Sequence, residues 1–420
     1  MHKYLLNLFS FVVLLILLEN SWAEDLKISE HLKLTHNTAF YENSSLGSPG
    51  TGDSKSDNVA EIRFNFKHSR DSIELISELS LAVVNLEKRF EDGGGVQNLP
   101  LSFSNTIPTD RTSLFAFSKT FSTDGETSTF GRFDRFSLAY SDNDSTLKIG
   151  RQALSWGQGL NFQVLDIVNP FPPATIDTEY KPGSDMINFS HSISAKDGIE
   201  IVYVPRRNVQ SHNIEWDQST VATQLRSRSL SDSFEFLFSA ARHYNDTLLG
   251  FGTNTSLAGA IFRVDLSYQN LSNTSDSISV IMNVDRSWIL FDHNWYGSLE
   301  YFHSGVGSDS NVLSDFSEEL TDRLTRGDLF IVGTDYLSLG MRQELTPLFN
   351  LYELLIQSLD AGSALFQLKA GYDLSENLVL TVAGSIGLGG QNSEFQGFRL
   401  DKDTLIERGD TVFVQIAQYF

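Results

Sequence analysis

The segment from Gly150 to Asp185 holds the densest set of residue types that could act together. It carries Arg151, Asp166, Asp177, Glu179, Lys181 and Asp185, and it is punctuated by Pro170, Pro172, Pro173 and Pro182 among the nine prolines of the chain. Proline fixes φ and removes a ladder donor, so residues 157–183 are expected to form a long, stiff loop rather than a strand. A stiff loop with opposite charges could fold into a water-filled passage and set up a transverse field and a size filter. The same charges on a loop packed at a rim would pair with little consequence. Trp156 likewise suits either the loop or a membrane-interface belt.

Other chemistry has little footing. His-Glu-x-x-His, Gly-x-Ser-x-Gly and Walker patterns do not occur. The nine histidines are scattered, and His31 and His36 fall on opposite faces of an alternating strand. With 53 carboxylates, paired-acid hydrolysis stays open but no pair stands out. There is no cysteine, which removes thiolate chemistry and disulfides. The formal charge of −22 argues against a nucleic-acid partner, which needs a concentrated basic surface. It fits either a cation-favouring lumen or acidic surface loops beside lipid headgroups. No cofactor or metal is expected.

The elements that position these residues alternate with period 2. In Val59–Lys67, Ala60, Ile62, Phe64 and Phe66 oppose Glu61, Arg63, Asn65 and Lys67. In Ala260–Gln269, Phe262, Val264, Leu266 and Tyr268 oppose Arg263, Asp265, Ser267 and Gln269. Ala364–Tyr372 repeats the pattern with Gln367 and Lys369. If the apolar face meets lipid, Arg63, Lys67, Arg135, Arg263 and Lys369 face a lumen, with Glu61, Glu74, Glu78, Asp265 and Glu300 as acidic counterparts. Such runs number about 14–16, possibly up to 18, and many have the ~9–12 residues that a tilted membrane strand needs. Short turns near Asp71, 142–144, 195–198, 360–362 and 373–377 alternate with long connections at 47–58, 90–110, 157–183, 206–231, 305–327 and 389–409. That asymmetry is the pattern of periplasmic turns and extracellular loops. Within one long connection, Phe316, Leu320 and Leu324 have helical spacing, with Ser314 able to cap.

The ends agree. Lys3, the apolar run Leu5–Leu18 and Ser21-Trp22-Ala23 predict a signal peptide over 1–23, cleaved to leave a single barrel domain over 24–420. No later stretch approaches the ~18 apolar residues of a spanning helix. The last strand places Val412, Val414, Ile416 and Phe420 on one face. It resembles the C-terminal β-signal of outer-membrane proteins, with Phe420 as the assembly residue, although Gln418 departs from the pattern. Gly150-Arg-Gln, Trp156-Gly and Asn169-Pro resemble a signature of porin-like barrels in the broad alginate-export-like group. Leu359-Asp-Ala-Gly-Ser363 and Gly389–Phe395 resemble late-strand turns and loops of the same barrels. The expected fold is therefore an all-β, antiparallel transmembrane β-barrel in the outer membrane of a Gram-negative cell. The resemblance implies passive or facilitated diffusion of a small hydrophilic solute. It also implies contact with membrane lipid and lipopolysaccharide, delivery by periplasmic chaperones and the barrel-assembly machinery, and a monomer or trimer. A plugged docking barrel for an envelope partner and, third, an outer-membrane hydrolase are the alternatives.

Overall fold

The computed structural model describes residues 26–42, 53–87, 109–272, 275–390, 393–399 and 405–420. The signal peptide expected over 1–23 lies outside the described residues. The strands are β1 (Leu26–Phe40), β2 (Ser54–Arg70), β3 (Ile73–Leu86), β4 (Ser118–Asp124), β5 (Thr127–Ser141), β6 (Ser145–Gln152) and β7 (Ser184–Ser192). They continue with β8 (Asp197–Val204), β9 (Thr220–Ser227), β10 (Phe234–His243), β11 (Asp246–Leu257), β12 (Ala260–Asn270), β13 (Ser277–Leu290) and β14 (His293–His303). Then follow β15 (Asp335–Thr346), β16 (Phe349–Ser358), β17 (Ala364–Ser375), β18 (Leu378–Leu388), β19 (Gly397–Arg399), β20 (Leu405–Glu407) and β21 (Asp410–Tyr419). Eighteen of these close an antiparallel barrel, the upper end of the sequence expectation. The join is β21 to β1, in register from Phe40↔Asp410 to His31↔Tyr419. Among the described residues β4 pairs with β5 alone, extending the wall beyond the end of β6, and β19–β20 form a separate ribbon.

The molecule is polar inside and apolar outside. On β12, Phe262 and Leu266 are exposed while their neighbours Asp265 and Ser267 are 1% and 0% exposed. Water would punish that arrangement and a bilayer rewards it, because lipid solvates the apolar face and closure pairs the backbone polar groups. The stacked pair Trp288–Trp295 and the 81%-exposed Phe291 mark one rim as an aromatic girdle. Among the described residues, no helix is long and apolar enough to cross a membrane.

The turn end and the long-loop end differ as expected, with local corrections. Residues 206–231 are not one loop, because β9 lies within them. β11 turns into β12 at Ala258-Gly259, where both residues have positive φ (52° and 77°), as a tight hairpin requires. Residues 109–117 form no strand, and β4 starts at Ser118. The turn 360–362 belongs to the long-loop end, where the connection at Tyr244-Asn245 is also tight. The loop helix is present as α1 (Glu318–Arg326), but Ser317 rather than Ser314 caps it by accepting from the Leu320 amide.

Leu266→Arg puts a charge on the lipid face and is expected to lower stability by roughly 2–4 kcal/mol if it lies near the bilayer midplane. Urea unfolding in lipid vesicles followed by tryptophan fluorescence measures the loss, with Leu266→Ile nearly neutral.

Candidate functional site

The connection from β6 to β7, residues 153–183, folds into the lumen and is held by wall strands around most of the circumference. Trp156 Nε1 donates to Glu200 on β8 (2.6 Å). The Gln158 amide donates to Asp265 on β12 (2.6 Å). Asn283 of β13 donates to Gln158 O (3.0 Å). Glu300 of β14 accepts the amides of Leu160, Asn161 and Phe162 at 2.6, 2.8 and 2.9 Å. Gln367 of β17 donates to Ala174 O (2.9 Å), and Gln415 of β21 donates to Asp177 (3.1 Å). Lys33 of β1 sits 2.6 Å from Asp177 and 2.7 Å from Glu179. The Arg63 guanidinium of β2 lies 4.0 Å from the centre of the Tyr180 ring. Arg135 of β5 donates to Lys181 O (2.6 Å).

Local sequence explains why the loop fits so closely. Glu300 takes three successive amides because the chain turns sharply after Gly159. A Cβ on that glycine would lie 1.8 Å from Phe162 O. On the facing wall, Gly250 and Gly252 point inward and leave room for the loop. A Cβ there would lie 2.5 Å from Leu165 Cδ2 and 2.6 Å from Asp265 Oδ1 respectively. Phe162, Val164 and Leu165 pack on Ile281, Phe302, Tyr336, Ile356 and Leu365. Trp156 and Val168 pack on Val202, Val204, Ala222, Ala241 and Leu248. The loop is therefore a second, internal wall with its own apolar core.

The sequence-derived candidates separate into three groups. Asp166, Asp177, Glu179, Lys181, Arg63, Arg135, Asp265 and Lys369 are brought together where loop meets wall, Lys369 facing Ile176 O at 3.4 Å. Lys67 (2.6 Å from Glu74) and Arg263 (paired with Asp285) point inward nearer the turn end. Arg151 and Asp185 depart from the expectation of a lumen position. They share the face of Phe136, Ile149 and Ile187, which is the outward face. There Arg151 bonds Asp185 (2.7 Å) and Asp110 (2.9 Å), and residues 109–117 cover the pair. The physical reason is strand parity: one residue from Gly150 changes the face. Phe420 follows β21, with its amide donating to Glu30 O (2.8 Å).

Burial raises the Asp166 carboxyl to about 6, although Lys181 at 2.5 Å opposes the shift. Burial also raises Asp177, but Lys33 and the Glu179 amide outweigh it and hold Asp177 below its ordinary value.

A second layer lies over the loop. In 304–334, Leu320 and Leu324 of α1 are fully buried with Phe316 and Val332. Asp328 meets His243 (3.2 Å) and Arg326 (3.0 Å). Glu394 accepts the Val332 amide (2.7 Å) and the Tyr336 hydroxyl. Asp360 accepts the amides of Thr334 and Asp335, both at 2.7 Å. A cavity of about 50 Å³ lies between the layers, bordered by Asp166, Gln163, His243, Asp246 and Arg323. Lys33, Glu200 and Gln415 were not singled out from sequence, although Lys33 stands between Leu32 and Leu34 in an alternating run. His243 and Asp328 are 85 residues apart and carried no sequence signal.

OccAB1 of Acinetobacter baumannii superposes with a TM-score of 0.54 at 9% identity, covering 94% of this chain and 97% of that one. OccK5 (OpdH) of Pseudomonas aeruginosa gives 0.53 at 9%, covering 94% and 98%. Wzi of Escherichia coli gives 0.54 at 9%, covering 92% and 83%. The fold is that of porin-like outer-membrane barrels. At these identities the likeness is one of fold, and no family model and no curated protein matches the chain by sequence.

Two outcomes follow. Glu300→Ala strands three amide donors, each costing roughly 1–3 kcal/mol when buried. Limited proteolysis within 157–165 is expected to become fast while the β-sheet circular dichroism is kept. Asp166 has a folded value raised above its unfolded one, so its protonated form stabilises the fold. Its contribution is present at acid pH and is lost as pH rises from about 4 to about 6. Urea titrations at pH 4 and pH 7 are expected to differ less in Asp166→Asn than in the parent chain.

Proposed function

We propose that the chain is an outer-membrane channel for diffusion of small hydrophilic solutes, with residues 153–183 as its constriction. The observation that carries this reading is the inward loop tethered by charged and polar wall residues. Lys33, Arg63, Arg135 and Lys369 stand on one side with Asp177 and Glu179 between them, while Glu200, Asp265 and Glu300 stand opposite. Opposed charges across a narrow, stiff frame sort solutes by size and sign. The whole-length likeness to the Occ barrels supports the same reading; one of them, OpdK, was crystallised with vanillate.

A plugged docking barrel is the second reading. The double layer formed by 153–183 and α1 favours it, as does the likeness to Wzi, described as a carbohydrate-binding barrel involved in capsule assembly. The hydrolase alternative has one suggestive alignment, in which Thr220 bonds His243 (2.8 Å) and His243 meets Asp328. Thr220 is fully buried and its hydroxyl also accepts from Arg206 (2.6 Å), so the alignment serves as a latch for the mouth loop.

Purified protein in planar bilayers is expected to give stepwise conductance, and removal of 164–176 is expected to raise it several-fold. Silence of the intact chain at all voltages, with conductance only after the deletion, would sink the channel reading in favour of the plugged barrel.

A further inference from the structure

Two polar side chains buried between the constriction loop and the mouth layer have hydrogen bonds left to make. Ser304 is 1% exposed, and its Oγ has no partner among the described residues. Gln269 is 5% exposed; its Nε2 donates to Ser267 Oγ (2.9 Å), while its Oε1 has no partner among the described residues. Both line the cavity of about 50 Å³. Buried polar atoms are nearly always bonded, so two of them on one cavity mark a place that a polar guest completes. Strand register brings them there. Asp246 pairs with His243 of β10, Leu248 with Gln269 of β12, and Gln269 with Ser277 of β13. Ser304 lies two residues beyond Phe302 of β14 and so keeps its inward parity. The constriction loop closes one side with Gln163 and Asp166, and the mouth layer closes the other with Arg323 and Leu329.

The charges around this space are largely compensated. Asp166 lies 2.5 Å from Lys181, and Asp328 lies 3.0 Å from Arg326. Asp246 Oδ1 accepts the Ser272 amide (2.9 Å) and hydroxyl (3.1 Å). Its Oδ2 stands 3.8 Å from Arg323 Nη2, too far for a hydrogen bond, and Arg323 is bonded through Nε to Glu319. The cavity therefore offers acceptors at Gln269 and Asp246, a donor at Arg323, and a hydroxyl at Ser304 that does either. A bare cation would meet the guanidinium, and a bare anion would meet the carboxylate. A hydroxyl group both donates and accepts, so two of them on adjacent carbons suit the mixture. Phe302, Val306 and Leu329 border the same space and suit the carbon-bound hydrogens. At ~10–15 Å³ for each water-sized group, a cavity of about 50 Å³ holds roughly three to five such groups, the size of a two- or three-carbon diol.

We propose that this cavity binds a small neutral hydroxylated solute, holding a vicinal diol through Gln269, Ser304, Asp246 and Arg323. The proposal deepens the channel reading by naming the solute class, and it rests on that reading for the solute's passage between the constriction and the mouth layer.

The test is saturation-transfer nuclear magnetic resonance on the full chain in detergent. The probes are 1,2-propanediol, 1-propanol, methylammonium chloride and sodium acetate. The parent chain is expected to bind the diol saturably and 1-propanol about tenfold more weakly, as loss of one hydroxyl's bonds implies. Gln269→Met/Ser304→Ala removes the two free oxygens and is expected to bind the diol about tenfold more weakly than the parent. Leu266→Ile, on the lipid face, is expected to match the parent, and circular dichroism and gel mobility report that each variant is folded. Equal diol affinity in the double variant overturns the proposal, as does equal affinity for 1-propanol in the parent. Saturable binding of methylammonium or acetate in place of the diol assigns the cavity to an ion and also overturns it, as does a parent chain that binds no probe. Planar bilayers separate the two readings: conductance without diol binding removes this site alone, whereas diol binding in a silent barrel keeps the site and removes the channel.

Discussion

Every amide of a membrane wall must find a partner without water, and the pairing of β21 with β1 makes that possible. An open sheet would leave two edges of unpaired N–H and C=O groups in hydrocarbon, each costing several kcal/mol. The seam removes both edges along Phe40↔Asp410 to His31↔Tyr419. With the ring closed, side-chain parity has a fixed meaning, outward to lipid or inward to the lumen. That meaning governs the whole molecule, including the opposite fates of Arg151 and Gln152.

The same accounting explains the lumen. A loop placed inside the barrel carries backbone groups that regular structure does not satisfy, so the wall must supply partners. Glu300, Asp265, Glu200, Gln367 and Arg135 do this by bonding loop amides, carbonyls or side chains. Buried charges of this kind contribute little net stability, because desolvation offsets the attraction, but removing one partner is costly. They fix where the loop lies. Charged residues here therefore shape the passage as much as they line it, and the inward glycines Gly250 and Gly252 set how closely the loop can approach.

β11 and β9, the strands missed from sequence, each lack one half of the alternation. β11 has Leu248, Gly250 and Gly252 on its inner face, small or apolar because they meet the loop rather than water: Leu248 packs with Trp156 and Val168, Gly250 lies against Leu165 and Gly252 against Gln158. The polar half of the alternation disappears wherever the loop forms a local core. β9 has the opposite weakness, with Thr223 and Ser227 among its outward residues. Where the inner face stays polar and the outer face apolar, as in β2 and β12, alternation gave the faces correctly. The mouth layer shows a related limit: helical spacing located α1, but His243 and Asp328 meet only because the barrel brings β10 beneath the loop.

By itself, the sequence determined the closed antiparallel architecture, the polar interior and the stiff proline-rich connection, because these follow from period-2 patterning and local backbone restraint. Tertiary structure alone decided which wall residue meets which loop residue and that Arg151 and Asp185 lie beneath an external strap. It also decided that a second connection covers the first. Strand parity is a local property that any stretch of chain carries. Which strands curve around to face one another across the lumen depends on register summed around the whole ring, and no short segment holds that information.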